Sequence, residues 1–345
     1  MLRRCQARFH GVLKYSIGSS SVTVGSDLKA MTPSNQIYHD SAKLRKRLDD
    51  DGYLYLKGMV SREAVNDALN DVGQQMLECG WTKDSDREAL AAKDGFALGI
   101  PFPSGVTSTA DLPPPRFHLS PAVQMATVGS TVMSAVRQVF GGSVVPLPHH
   151  TVDFSNPEEQ HGFRMESVYM NRGTKLALVA WVPLHDTPLH MGGLCVARGS
   201  NSADTYAKIR TTYGAMDVEG SGISGDGSYT FDPNELLPLG KRIERNINIS
   251  ADVVVDDNAL VTTTFEAGDI VLMTVYTMHG FLTNRSSCWR VSCQSKWIME
   301  GDDIGPDPRY VGADAPGVSV WSQERFDAAK YPKSMTQAKK DWGLV

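Results

Sequence analysis

The pattern of apolar and polar positions divides the chain in two. In the first part apolar residues recur at helical spacing. Ser61 stands where a helix N-cap belongs and Glu63 falls in the first turn. Val65, Leu69, Val72 and Met76 then follow three or four residues apart, which predicts an amphipathic helix. Residues 41–58 predict a helix that breaks at Asp49-Asp50-Asp51-Gly52 and passes into the apolar strand Tyr53-Leu54-Tyr55-Leu56. Another helix is predicted over 120–140. Its apolar face holds Val123, Met125, Ala126, Val128, Val132, Val136 and Val139, and Gly141-Gly142 ends it.

From about residue 144 the pattern changes to short β-type runs between turn residues: Leu176–Trp181, Gly193–Val196, Val253–Val255, Leu260–Phe265, Ile270–Val275 and Arg290–Ile298. Helices first and strands later, without βαβ alternation, predict an α+β protein with a mainly β core. The expected form is a jelly roll with buttressing helices. Residues 214–252 are rich in Gly, Ser, Asp and Asn and predict a long insertion loop, with a functional and a disordered reading both open.

Composition narrows the partners. The 345 residues are enough for a large core, and 41% hydrophobic and 21% charged residues are ordinary for a globular chain. A net charge of −5 gives no basic face for nucleic acid, and no apolar run of about 18 residues predicts a membrane span. Cys5, Cys79, Cys195, Cys288 and Cys293 are odd in number and lack zinc-type spacing, which fits a reduced, intracellular compartment better than a disulfide framework. Residues 1–26 hold Arg3, Arg4, Arg8, Lys14 and many serines, with no acidic residue before Asp27. That is the composition of an organelle transit peptide, which would make the destination mitochondrial. The other readings are a disordered tail, or an overlong start with Met31 as initiator, and then a cytoplasmic protein. The expected organisation is a tail over 1–40 and one domain over 41–345.

The strongest chemical segment runs from Gly268 to Trp297. Gly268-Asp269 is a turn, and the apolar strand Ile270–Val275 leads to His279 at its far end. Arg290 follows eleven residues later on the next strand. An imidazole that can bind metal and a neighbouring guanidinium suit a chelating dicarboxylate, whose remote carboxylate the arginine grips as a fork. The plainer reading is a surface histidine and an arginine in a structural ion pair.

This stretch resembles the phytanoyl-CoA dioxygenase-like family of non-haem Fe(II)/2-oxoglutarate-dependent oxygenases. Thr277-Met278-His279, Asn284-Arg285-Ser286 and the arginine at 290 fit the family's pattern. Val182–Ser200 is similar to its acidic turn, G-G-L strand and R-G-S loop, and Asp51-Gly52-Tyr53 to its opening strand. The resemblance covers about residues 45–312. It implies a double-stranded β-helix (cupin-like) core. It also implies an Fe(II) site of two histidines and a carboxylate, with neither haem nor nucleotide, and 2-oxoglutarate held by Arg290. The implied reaction is hydroxylation, or a related oxidation, of a small or lipid-like metabolite coupled to 2-oxoglutarate decarboxylation.

One position departs from the family. Alignment on Val168-Tyr169-Met170 puts Glu166 at the carboxylate-ligand position and Arg164 at that of the first histidine. Glu166 and His279 are the metal ligands left. Arg164 has no lone pair to give and its charge repels a cation. If Arg164 faces the pocket, it pairs with Glu166 or an anion, and with Arg290 makes a cleft for a small dicarboxylate. A bulge that turns it outward is the alternative. His161, three residues earlier, falls on the opposite face of an extended strand. His149-His150 with Asp153 lacks ligand spacing, and His185-Asp186 fits the family's acidic turn. Tyr169 and Arg172, which flank the ligand strand, and Trp181 on a core strand are candidates for the substrate pocket, with packing as their other role. Met165 is expected to face away into the core. Segments 80–118 and 214–252 would shape the pocket.

Two functions follow. One is an Fe(II)/2-oxoglutarate-dependent dioxygenase acting on a small molecule. The other is a metal-deficient pseudoenzyme that serves as a binding or scaffold subunit, as a homo-oligomer or beside an active paralogue.

Overall fold

The computed structural model describes residues 14–17, 20–86, 99–103, 120–148, 150–204, 206–236, 260–312, 318 and 323–345. The predicted strand Val253–Val255, residues 237–252 of the insertion loop, most of segment 80–118, His149 and residues 1–13 lie outside these. The strands are β1 Lys14–Ile17, β2 Ser20–Thr23, β3 Leu28–Ala30, β4 Tyr53–Leu56, β5 Ile100–Pro101, β6 Val144–Pro146, β7 Thr151–Ser155, β8 Ala177–Pro183, β9 Leu194–Ala197, β10 Leu260–Thr262, β11 Ile270–Thr274, β12 His279–Phe281 and β13 Cys288–Met299. The longer helices are α1 Ser41–Asp51, α2 Arg62–Glu78, α3 Pro121–Val128 and α4 Ser130–Phe140.

Local chemistry explains the helix ends. Asp40 caps α1 by accepting from the Lys43 amide, and Ser61 caps α2 by accepting from Ala64. Gly52 closes α1 at φ +82°, a conformation that L side chains resist, and a Cβ there would stand 2.6 Å from Asn201 Oδ1. The single helix predicted over 120–140 is two. At Gly129 the backbone turns extended between α3 and α4, with φ −64° and ψ 174°. A Cβ at Gly129 would lie 2.2 Å from the Met125 carbonyl oxygen, so glycine is what lets α4 start again at a new angle.

The larger sheet runs β4-β11-β8-β13-β5, with β6 and β7 also paired to β13. The smaller runs β12-β9-β10-β3. From β10 to β13 each successive strand changes sheet, which winds the chain into the predicted double-stranded β-helix. Period-two alternation sorts the side chains. Leu54, Leu56, Leu178, Ala180, Ile270 and Leu272 face out to a core shared with α1–α4. Tyr53, Tyr55, Val179, Trp181, Val271 and Met273 face in, against Val196, Phe265 and Phe281 between the sheets. A third core, around Phe163, Met165, Val168 and Tyr213, lies against segments 206–236 and 335–344. Cys79, Cys195, Cys288 and Cys293 are free thiols. Among the described residues no helix is long and apolar enough to cross a membrane.

Candidate functional site

β13 supplies one wall of the site. Trp289, Val291, Cys293 and Trp297 pack against the helices. The alternate positions Arg290, Ser292, Gln294 and Lys296 therefore form a polar stripe on the inner face. Pairing with β7 sets Asp153 opposite Ser292 and Ser155 opposite Arg290, so Asp153 shares this inner face.

The other wall comes from Arg164, Glu166 and His279. Arg164 and His279 pair across backbones, Arg164 N donating to the His279 carbonyl at 2.8 Å and His279 N to the Arg164 carbonyl at 3.0 Å. His279 is not the far end of β11. It opens β12, in the opposite sheet, because the chain crosses between sheets after Thr274. After Met165, which packs in the core as expected, Glu166 opens a 3-10 turn, Glu166–Val168. Glu166 is 3% exposed, His279 1% and Lys296 5%.

Two cationic side chains, Lys296 and Arg164, and the His279 imidazole surround the Glu166 carboxylate. Oε1 lies 3.6 Å from His279 Nε2 and 3.8 Å from Arg164 Nε. Oε2 lies 3.3 Å from Lys296 Nζ. Burial opposes ionisation of Glu166, but Lys296, His279 and Arg164 outweigh it and hold its pKa well below the usual carboxylate range. Burial likewise opposes the charge on Lys296, and the Glu166 carboxylate outweighs it and raises that pKa. His279 Nδ1 lies 2.9 Å from the Thr277 carbonyl, which only accepts, so Nδ1 carries a proton and Nε2 faces the carboxylate.

These residues do not fit Fe(II). Glu166 and His279 are the donors present, and among the described residues no three His, Cys, Asp or Glu side chains are grouped to hold a metal. The first-histidine position carries a guanidinium, and an ammonium already engages Glu166 Oε2.

Arg290 fits an anion. It is 1% exposed, its guanidinium carbon sits 3.8 Å from the centroid of the Phe281 ring, and Nη1 donates to Ser292 Oγ at 3.1 Å. Among the described residues Nε and Nη2 have no hydrogen-bond partner. Burial lowers its pKa to about 10, which leaves it charged at neutral pH.

The remaining candidates divide. His161 does not turn to the opposite side. Residues 156–165 belong to no strand, so the alternation of an extended strand does not govern the offset between His161 and Arg164. Its ring packs 5.4 Å from Phe281, at the Arg290 end, and burial with the two nearby arginines keeps it neutral. Tyr169 lies close enough to Arg164 to feel its charge, but its hydroxyl donates to the Asp226 carbonyl at 2.8 Å. Arg172 faces outward and pairs with Asp217 at 2.8 Å and Glu219 at 3.2 Å. Trp181 is wholly buried, edge-on to Phe265. His185 ties strands together: Val291 N donates to its Nε2 at 2.8 Å, and its Nδ1 donates to the Asp186 carbonyl at 2.9 Å. Lys296 is the residue of this candidate site that the sequence reading missed. Its even offset of six from Arg290, along a strand alternating Trp-Arg-Val-Ser-Cys-Gln-Ser-Lys-Trp, is the signal that finds it.

The sequence model of a family described as phytanoyl-CoA dioxygenase (PhyH) matches residues 48–292. No curated protein matches the chain. Among solved structures the chain is similar to EctD from S. alaskensis with 2-oxoglutarate and 5-hydroxyectoine, at 16% identity over 86% of this chain and 93% of that one, TM-score 0.47. It is similar to AviO1 from Streptomyces viridochromogenes Tue57, at 14% identity over 78% of this chain and 99% of that one, TM-score 0.46. It is also similar to the non-haem alpha-ketoglutarate-dependent epimerase SnoN from nogalamycin biosynthesis, at 15% identity over 75% and 82%, TM-score 0.44.

Proposed function

Since the chain belongs to the phytanoyl-CoA dioxygenase family, we propose that it is a metal-deficient member. In this reading it keeps the family's cleft as a binding or scaffold site for a small molecule and has given up the oxidative chemistry that needs Fe(II). The domain that does this spans 41–345. The observation that carries the reading is the engagement of Glu166 on both carboxylate oxygens by Lys296, His279 and Arg164. A divalent cation entering there would displace an ammonium already neutralising the carboxylate and would stand beside a guanidinium that cannot lose its proton. The low dielectric of the interior makes that repulsion larger than it would be at the surface.

The competing reading, an active 2-oxoglutarate-dependent dioxygenase, draws on family membership and on the imidazole edge that His279 turns toward Glu166. The experiment that separates the two is anaerobic reconstitution with Fe(II), followed by metal analysis and by assay of succinate released from 2-oxoglutarate. The expected result is sub-stoichiometric iron and no succinate above the protein-free control. Stoichiometric iron with succinate release would overturn the proposal.

A further inference from the structure

We infer that the cleft binds a plain dicarboxylate without metal, with Arg290 gripping one carboxylate and Arg164 the other, so that a 2-oxo group brings no advantage. The inference rests on the metal-deficient reading and names the ligand class of that site.

Arg290 is the fixed end. Its Nε and Nη2 hydrogens point along one edge of the guanidinium, the geometry that meets both oxygens of a carboxylate. That edge is buried and makes no hydrogen bond, while Nη1 and the ring face are taken by Ser292 and Phe281. A buried, charged donor left unsatisfied is costly, and a ligand carboxylate removes that cost. His161 Nε2 is a second buried polar atom without a hydrogen bond at this end.

Arg164 is the second anchor. Its side chain is 13% exposed, and its nearest acidic atom, Glu166 Oε1, lies at 3.8 Å, too far for a hydrogen bond. Among the described residues its guanidinium donates to nothing. Arg164 and Arg290 are close enough for their charges to repel. Buried Glu166 and Asp226 act on Arg164 from a distance, and Asp153 and Glu159 act on Arg290, so the carboxylates nearby offset the cationic charge without filling either guanidinium fork. Asp153 and Glu159 are partly exposed and close enough to act on Arg290 electrostatically, and among the described residues neither lies within ion-pair distance of an arginine. A dicarboxylate offers each guanidinium a carboxylate to accept its unused N–H groups. Inorganic phosphate offers a single anionic group in place of two. In a site with a metal, a 2-oxo acid gains by chelation. Here the partner at that end is a guanidinium, which needs the carboxylate alone.

The test is calorimetry on the full chain in EDTA, with 2-oxoglutarate, succinate and inorganic phosphate as titrants. The expected result is binding of 2-oxoglutarate and succinate within a few-fold of each other, and phosphate weaker by about tenfold or more. Arg290→Lys and Arg164→Lys keep the charge and lose the fork, and each should weaken succinate by about tenfold or more. The inference is overturned by no binding of either dicarboxylate to the wild-type chain, by a 2-oxoglutarate preference beyond about tenfold, by phosphate binding as well as succinate, or by an unchanged succinate affinity in Arg164→Lys. Stoichiometric iron in the reconstitution experiment would instead overturn the metal-deficient reading, and metal-free succinate binding would stand apart from it.

Discussion

The Lys296 ammonium sits 3.3 Å from Glu166 Oε2, and both side chains are buried between the two sheets of the barrel. The pair joins the 3-10 turn after Arg164 to the inner face of β13, segments more than a hundred residues apart in the chain. On the metal-deficient reading proposed above it sets the chemistry of the cleft, because a carboxylate neutralised from within has little attraction left for an outside cation.

The pair also bears on stability. Breaking a buried ion pair from one side leaves an uncompensated charge, whereas replacing both partners by neutral groups is close to neutral. Lys296→Met is expected to lower stability by about 3 kcal/mol, and Glu166→Gln combined with Lys296→Met to recover most of that loss. Urea unfolding at neutral pH, read as a double-mutant cycle, checks it. Equal losses in the single and double variants would show that the two charges do not support one another.

Iron binding should return only when both obstacles go. Arg164→His restores a donor at the first ligand position but leaves Lys296 on Glu166, so a small rise in Fe(II) affinity is expected. Arg164→His with Lys296→Ala frees the carboxylate and leaves two imidazoles and a carboxylate facing one another. That variant is expected to take up stoichiometric Fe(II) in an anaerobic titration followed by metal analysis. Equal iron uptake by the single and double variants would remove Lys296 from the account.

Stability should fall on mild acidification, and His185 gives the window. Burial lowers its pKa from 6.5 to about 4, and Val291 N already donates to Nε2. The folded state therefore excludes a proton that the unfolded state accepts. The stabilisation is complete above 6.5 and is lost as pH falls toward about 4, and the loss amounts to about 3 kcal/mol for this group. His185→Gln, measured by urea unfolding across the same range, should show a shallower decline. The decline should not vanish, because buried, neutral His161 adds to it in the same direction. An unchanged pH slope in the variant would rule out His185 as a source.

Much of this protein is written locally. The caps at Asp40 and Ser61, the stop at Gly52 and the alternation of β4, β8, β11 and β13 depend on residues a few places apart, and those spacings alone predicted an α+β jelly roll. The motif around His279 and Arg290 and the misplaced arginine at 164 are likewise visible in the chain as it stands. Other features had to wait for the packed molecule. The break at Gly129 reflects a close approach to the Met125 carbonyl that apolar spacing does not record. Arg172 turns outward because Asp217 and Glu219 come to meet it from a distant loop, and His161 meets Phe281 across segments that only the fold brings together. Lys296 finds Glu166 only when two sheets close face to face. Periodicity reports which side of its own element a residue occupies. Which charge it then meets depends on how separate elements pack, and that is a property of the folded whole.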